Sequence, residues 1–147
     1  MAPGLVRLER RFDAPPKSVF RAWCVPEDLR VWIWGSLANN VRAEADARVG
    51  GAWRVSTLGR DGSRWEISGA YQLLDLPNRL VATLTWNAPV GYEPGEERIG
   101  VELHDEGDRT LMVFTHDGIP DAKSRVAHVE GWSDSFEYLH RLLEPLP

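Results

Sequence analysis

The sequence predicts an α+β fold in which one curved antiparallel β-sheet grips a long C-terminal α-helix, and two short helices follow the first strand. Three observations predict it. Residues 120–144 have the longest helical periodicity in the chain, most upstream segments alternate with a period of two, and tight turns separate those segments. Hairpin connections indicate antiparallel pairing, and a twisted sheet of this size curls around a helix.

The C-terminal helix is predicted to begin after Asp121, whose carboxylate can cap the first turn, and to end before Pro145 and Pro147. Steps of three and four residues predict the face that packs on the sheet: Val129, Trp132, Phe136, Leu139 and Leu143. A polar, solvated face is predicted opposite: Glu130, Asp134, Glu137 and Arg141, with Ser133 and Ser135 also on the polar side.

The remaining elements follow in chain order. Residues 5–12 predict the first strand, and the prolines after it suit the first turn of a helix with Val19, Phe20, Ala22 and Trp23 on its apolar side. A second helix begins at Pro26 and has Leu29, Trp32 and Ile33 on its apolar side. Strands are predicted at 39–45, 53–58, 65–74, 80–86, 98–104 and 110–116, with a mobile loop at 87–96.

Period-two alternation predicts which strand residues face the helix. The inner set is Leu80, Ala82, Leu84, Trp86, Ile99, Val101, Leu103, Met112, Phe114 and His116. Leu111 and Val113 are then expected to point outward, and Gly69 is expected to mark a bulge or a close approach of two backbones.

Composition restricts the class of protein. A chain of 147 residues, of which 43% are hydrophobic, predicts a single domain, residues 1–147. A net charge of -5 argues against a nucleic-acid partner, because binding phosphates needs a basic face. The one cysteine, Cys24, suits a reducing compartment. No apolar run approaches the ~20 residues of a membrane span, and residues 1–12 show no signal-peptide core, so we expect a cytoplasmic protein without a membrane partner.

Several motifs occur in a characteristic order: Phe12-Asp-Ala-Pro-Pro, Val19-Phe-Arg-Ala-Trp23, Pro26-Glu-Asp-Leu29 with Trp32, Asp46-Ala-Arg-Val-Gly-Gly51, Asp61-Gly62, Gly69-Ala-Tyr71, Pro77-Asn-Arg-Leu-Val81 with Trp86, Thr115-His-Asp-Gly118, and Gly131-Trp132 with Leu139 and Leu142-Leu143. This order resembles the START-like superfamily, also called SRPBCC, Bet v-like or helix-grip. The closer resemblance is to the group related to the C-terminal domain of activators of the ninety-kilodalton heat-shock chaperone's ATPase. The resemblance implies a cavity and a binding role, but it does not name a ligand. The chain departs from the group at Leu73, where a glutamate is frequent, which implies a drier cavity there.

Seven tryptophans predict either a large aromatic core or an aromatic-lined cavity between the sheet and the C-terminal helix. The candidate ligand-binding residues are Trp23, Trp32, Trp53, Trp65, Tyr71, Trp86, Phe114, His116, Trp132 and Phe136. No catalytic set and no cofactor is predicted. His104, His116, His128 and His140 look scattered, so no metal site is predicted either. The acidic cluster Glu93, Glu96 and Glu97, with Arg98, is read as a solvated loop.

Three classes of function stay open. The preferred hypothesis is a domain that binds a small hydrophobic or aromatic molecule in the cavity. The alternative is a protein-interaction module like the chaperone activators that the chain resembles, with a homodimer also possible. The third is a cyclase-type or hydrolase-type enzyme with His116 as general base and Tyr71 or an acid assisting. Asp117 follows His116 but, on a strand, points to the opposite face.

Overall fold

The computed structural model describes residues 4–87, 90–93 and 95–145. Its strands are β1 (Val6–Phe12), β2 (Arg42–Ala45), β3 (Ala52–Leu58), β4 (Arg64–Asp75), β5 (Arg79–Trp86), β6 (Glu97–Asp105) and β7 (Thr110–Asp117). Its α-helices are α1 (Pro16–Ala22), α2 (Pro26–Trp32) and α3 (Ala122–Leu143), and a short 3-10 turn spans Gly35–Leu37. The predicted α+β class, the two short helices after the first strand and the long C-terminal helix are confirmed.

The described strands form one antiparallel sheet in the order β1-β7-β6-β5-β4-β3-β2. Consecutive strands from β2 to β7 are hairpin neighbours, and β1 closes the order by pairing with β7, where Leu8 lies opposite Phe114. The sheet curves around α3, so the predicted grip on the helix is confirmed. None of the described helices is long and apolar enough to span a membrane.

The alternation along the strands puts the predicted residues inside. Leu80, Ala82, Leu84, Ile99, Val101, Leu103, Met112, Phe114 and His116 are buried, whereas Leu111 and Val113 are only partly buried. At Gly69 the backbone of β5 approaches so closely that an added Cβ would collide with the carbonyl oxygen of Thr83. The predicted close approach at Gly69 is therefore confirmed, while the irregularity in strand pairing lies between Tyr71 and Leu73.

The buried face of α3 differs from the predicted stripe. Asp121 caps the helix by accepting a hydrogen bond from the Ser124 amide at 2.7 Å, as predicted. Val129, however, is 37% exposed, and the buried residues are Ser124, His128, Trp132, Ser135, Phe136 and Leu139. The assignment of Val129 to the core was wrong because the stripe follows steps of four from Ser124 through polar residues, which an apolar pattern does not reveal.

Two residues from the predicted polar side of α3 hold the helix to the segment after α2. The buried Ser135 hydroxyl donates to the carbonyl oxygen of Ile33 at 2.6 Å, so its placement on a solvated side was wrong. The Asp134 carboxylate accepts from the backbone amide and the hydroxyl of Ser36, each at 2.9 Å. These contacts fix where the segment from Ile33 to Leu37 lies on α3.

The predicted mobile loop at 87–96 includes residues 88, 89 and 94, which lie outside the described residues. Its mobility stays a prediction. The second proline predicted to stop the last helix, Pro147, also lies outside them, whereas Pro145 follows the end of α3 as predicted.

Candidate functional site

A pocket of about 300 Å³ lies beside the first half of α3. The segment after α2 forms one wall, and strands β4 and β5 with the start of the loop after β5 form the other. The lining residues are Ile33, Trp34, Leu37, Ile67, Trp86, Val90, Ala127, His128, Gly131, Trp132, Asp134 and Ser135. Ala127 and Gly131 are exposed, so the pocket opens to the surface along this side of the helix.

Of the ten predicted ligand-binding residues, Trp86 and Trp132 line this pocket. Four others form, with Trp132, a cluster of rings that fills the space between the sheet and the middle of α3: Trp23, Trp32, Phe114 and Phe136. Ring centroids are 4.6 Å apart for Trp23 and Trp32, and 4.6 Å apart for Phe114 and Trp132. These rings serve as core, and the pocket lies at one end of them.

The other four predicted residues do not line the pocket: Trp53, Tyr71 and His116 are buried, and the partly buried Trp65 packs against the core. Trp53 is buried and donates to the Thr83 carbonyl oxygen at 3.2 Å, and Trp65 covers Gly59, where an added Cβ would meet the indole ring. The Tyr71 hydroxyl donates to the Trp23 carbonyl oxygen at 3.0 Å. His116 is fully buried behind the pocket wall.

Behind the pocket, Glu97 is 2% exposed, so its assignment to a solvated loop was wrong. Its Oε1 accepts from Trp86 Nε1 at 3.3 Å and from His116 Nε2 at 2.5 Å, and its Oε2 accepts from the Tyr92 hydroxyl at 3.0 Å. Glu97 is the first residue of β6 and shares the inner face with Ile99. The alternation that placed Ile99 inside therefore also contained the signal for Glu97.

The hydrogen bonds of His116 fix the position of its proton. An indole N–H can only donate, so Nδ1 of His116, which lies 3.0 Å from Trp132 Nε1, is an acceptor. The ring proton is therefore on Nε2 and is donated to Glu97. Both ring nitrogens of His116 are engaged within the protein, which leaves neither available to act as a base on a ligand. Glu97 orients the ring, while Asp117 is exposed and accepts from the Gly118 amide.

His128 is the polar residue of the pocket that the sequence did not single out. Its Nδ1 lies 2.7 Å from the Ser124 carbonyl oxygen, which can only accept, so Nδ1 carries a proton. Its Nε2 lies 3.2 Å from the Tyr92 hydroxyl oxygen. The Trp86 ring meets the imidazole edge-on, with centroids 5.5 Å apart. His128 thus links the pocket surface to the buried carboxylate.

The electrostatics of this network follow from burial and donor number. Burial opposes ionisation of Glu97, but hydrogen bonds from His116, Tyr92 and Trp86 outweigh it and lower the pKa of the carboxyl group. Burial lowers the pKa of His128, which favours its neutral form. Burial, together with the Glu97 charge, raises the pKa of Tyr92. Nδ1 of His116 accepts from Trp132 and so carries no proton, which makes this imidazole neutral. The network therefore combines the Glu97 carboxylate with a neutral His116 and with a His128 whose neutral form is favoured by burial.

Donor atoms of Glu97, His116 and His128 lie within 4.8 Å of one another, a spacing that can hold a metal ion. The prediction that the histidines are scattered was wrong for His116 and His128, whose ring centroids are 4.9 Å apart. They are distant in the sequence, but β7 and α3 bring them together. The hydrogen bonds do not fit a metal, however. A ligating histidine donates its other N–H, whereas the other nitrogen of His116 accepts from Trp132.

The fold and the pocket define a class of protein: a helix-grip α+β domain with a small apolar pocket beside its C-terminal helix. Residues 13–144 match the family described as "Activator of Hsp90 ATPase homolog 1-like protein". The chain belongs to this family, and the resemblance to the START-like superfamily is thereby confirmed. A comparison with curated proteins finds no match.

Solved structures give the same result for the fold. A protein from Chromobacterium violaceum is 28% identical, with a TM-score of 0.84 over 98% of this chain and 100% of that chain. The AHSA1 protein of Silicibacter pomeroyi is 23% identical, with a TM-score of 0.74 over 95% of this chain and 96% of that one. CalU16 from Micromonospora echinospora is 23% identical, with a TM-score of 0.67 over 96% of this chain and 76% of that one.

Proposed function

We propose that this protein binds a small, apolar, aromatic molecule in the pocket beside α3. The observation that carries the proposal is the composition of the wall, where three indoles (Trp34, Trp86 and Trp132) and aliphatic side chains surround an opening next to α3. Its volume of about 300 Å³ lies at the lower end of the ~300–1,000 Å³ typical of ligand pockets. This size suits a compound of one or two fused rings.

The alternative of a protein-interaction module has less support from the described residues. Large apolar side chains that are exposed lie on five separate segments: Val31, Leu37, Val49, Leu76, and Val126 with Val129. No described helix or strand carries more than two of them. The enzyme hypothesis loses its proposed base, because both nitrogens of His116 are engaged inside the protein.

Gly131 provides a sharp test. It lines the pocket, lies on α3, and an added Cβ there would meet nothing within 4 Å. Gly131→Leu is therefore expected to fill the pocket mouth without a backbone clash. It also removes a glycine from a helix interior, which stabilises the helix by up to about 1 kcal/mol. Loss of binding in this variant would thus occur without loss of folding.

The experiment titrates two-ring aromatic compounds into the wild-type protein, Gly131→Leu and a matched control, Glu130→Leu, by isothermal calorimetry. Glu130 is exposed and is not among the residues that line the pocket. We expect binding to wild type and to Glu130→Leu, and a loss of at least tenfold in Gly131→Leu with an unchanged or higher melting temperature. Equal binding to all three proteins, or no binding of any compound to wild type, would overturn the proposal.

A further inference from the structure

The hydrogen-bond donors in the pocket wall are already in use. The indole N–H groups of Trp34, Trp86 and Trp132 donate to the Val55 carbonyl oxygen, to Glu97 and to His116. The other two side-chain donors, the Nδ1–H of His128 and the hydroxyl of Ser135, donate to backbone carbonyl oxygens. Among the described lining residues there is no lysine or arginine. The side chains of this wall therefore offer a ligand acceptors but no free donor.

Nε2 of His128 is an acceptor that receives no proton from the protein, because the one hydroxyl proton of Tyr92 goes to another acceptor. The Tyr92 hydroxyl has one proton and two acceptors within reach, Glu97 Oε2 at 3.0 Å and His128 Nε2 at 3.2 Å. The carboxylate is the stronger acceptor because it is charged, and it takes the proton. The Tyr92 oxygen and Nε2 of neutral His128 then face each other with lone pairs. Nε2 has no other hydrogen-bond partner in the described part of the chain, although His128 is only 8% exposed and lines the pocket.

The charged groups identified in the pocket wall and directly behind it are carboxylates. Asp134 lines the pocket, and the carboxylate of Glu97 lies directly behind Trp86 and His128, where no lysine or arginine of the described residues is bonded to it. In an apolar site such charges act strongly, because little water screens them. An anionic ligand would meet repulsion from both carboxylates and would find no donor to compensate.

From these observations, and on the basis of the proposed function, we infer that the pocket selects neutral or cationic aromatic ligands that carry an O–H or N–H donor, and that His128 Nε2 accepts from this donor. The ligand supplies the proton that the network lacks, and it replaces a contact between lone pairs with a hydrogen bond. Fatty acids and aromatic carboxylates are excluded by the same arrangement.

Three compounds of the same ring system separate these properties: 2-naphthol carries a donor, 2-methoxynaphthalene carries only an acceptor, and 2-naphthoate is an anion. Calorimetry on the wild-type protein at neutral pH is expected to show 2-naphthol binding roughly three- to tenfold more tightly than 2-methoxynaphthalene, the effect of one hydrogen bond. Binding of 2-naphthoate is expected to be the weakest.

Equal affinities for 2-naphthol and 2-methoxynaphthalene, or tight binding of 2-naphthoate, would overturn the inference and leave the proposed function intact. No binding of any of the three compounds to the wild-type protein would count against the proposed function as well as against the inference.

Two variants test the role of His128. His128→Phe removes the acceptor but keeps a ring, and it is expected to abolish the preference for 2-naphthol. Glu97→Gln tests the same point without altering His128. Oε1 receives two donors, so the amide oxygen takes its place and the amide nitrogen faces Tyr92. Tyr92 can then accept from the amide and donate to His128 Nε2. We expect this variant to lose the preference for 2-naphthol as well, and an unchanged preference in a folded Glu97→Gln would refute the proton count.

Discussion

Replacing Glu97 tests whether the buried carboxylate holds the inner wall of the pocket together. In Glu97→Leu three donors lose their acceptor: His116 Nε2–H, Trp86 Nε1–H and the Tyr92 hydroxyl. His116 is fully buried, so its N–H stays unpaired at a cost of about 1–3 kcal/mol. Trp86 and Tyr92 are partly exposed, so water can replace their bonds at a cost of roughly 0.5–1 kcal/mol each.

Removal of a buried charge offsets part of this loss, and we expect Glu97→Leu to lower the free energy of unfolding by about 2–3 kcal/mol. For a chain of this length, that corresponds to roughly 4–12 °C in melting temperature. Glu97→Gln is the matched control, because its amide can satisfy all three groups through the rotation of Tyr92. It is expected to cost about 1 kcal/mol or less.

The assay is urea unfolding at neutral pH, followed by far-UV circular dichroism and by tryptophan fluorescence. Coincident curves would establish a two-state transition before free energies are compared. If Glu97→Leu is as stable as wild type, or if Glu97→Gln is the more damaging change, the assignment of protons in this network is wrong.

Three further predictions concern other groups. Burial raises the pKa of the Cys24 thiol to about 11. We therefore expect no reaction with a disulfide reagent at pH 8 in the native protein and rapid reaction in urea, and fast labelling of the native protein would contradict this. Asp121→Ala removes the cap of α3 and should cost about 1 kcal/mol in urea unfolding, whereas an unchanged midpoint would show that the first turn does not contribute. Stability should fall in two steps as the pH is lowered. The folded-state pKa of His128 lies below its usual 6.5, so the stability that this group contributes is complete above pH 6.5 and is lost as the pH falls below that value. The folded-state pKa of Glu97 lies below its usual 4.5, so the stability that Glu97 contributes is lost at lower pH, below 4.5. His128→Phe should remove the first step only, and a first step that persists in this variant would point to another group.

The architecture was predictable from residues that lie close to one another in the chain. Period-two alternation placed Ile99, Val101 and Phe114 inside, and Asp121 marked the start of α3, because these signals depend only on residues near one another in the chain. The order of motifs also indicated the superfamily. Local pattern therefore sufficed for the elements, for the facing of the strands and for the class of fold.

Which part of the interior is pocket and which part is packed core depends on contacts between elements that are far apart in the chain. The sequence could count seven tryptophans, but whether rings fill a space depends on distances between elements that no local pattern contains. The same limit applied to His128, which is far from the other histidines in the sequence. Glu97, by contrast, shares the alternation of Ile99 and was assigned to solvent because it is charged. Their burial is stable because β6, β7 and α3 bring donors and acceptors together over long stretches of sequence, and hydrogen bonding offsets the cost of removing polar groups from water.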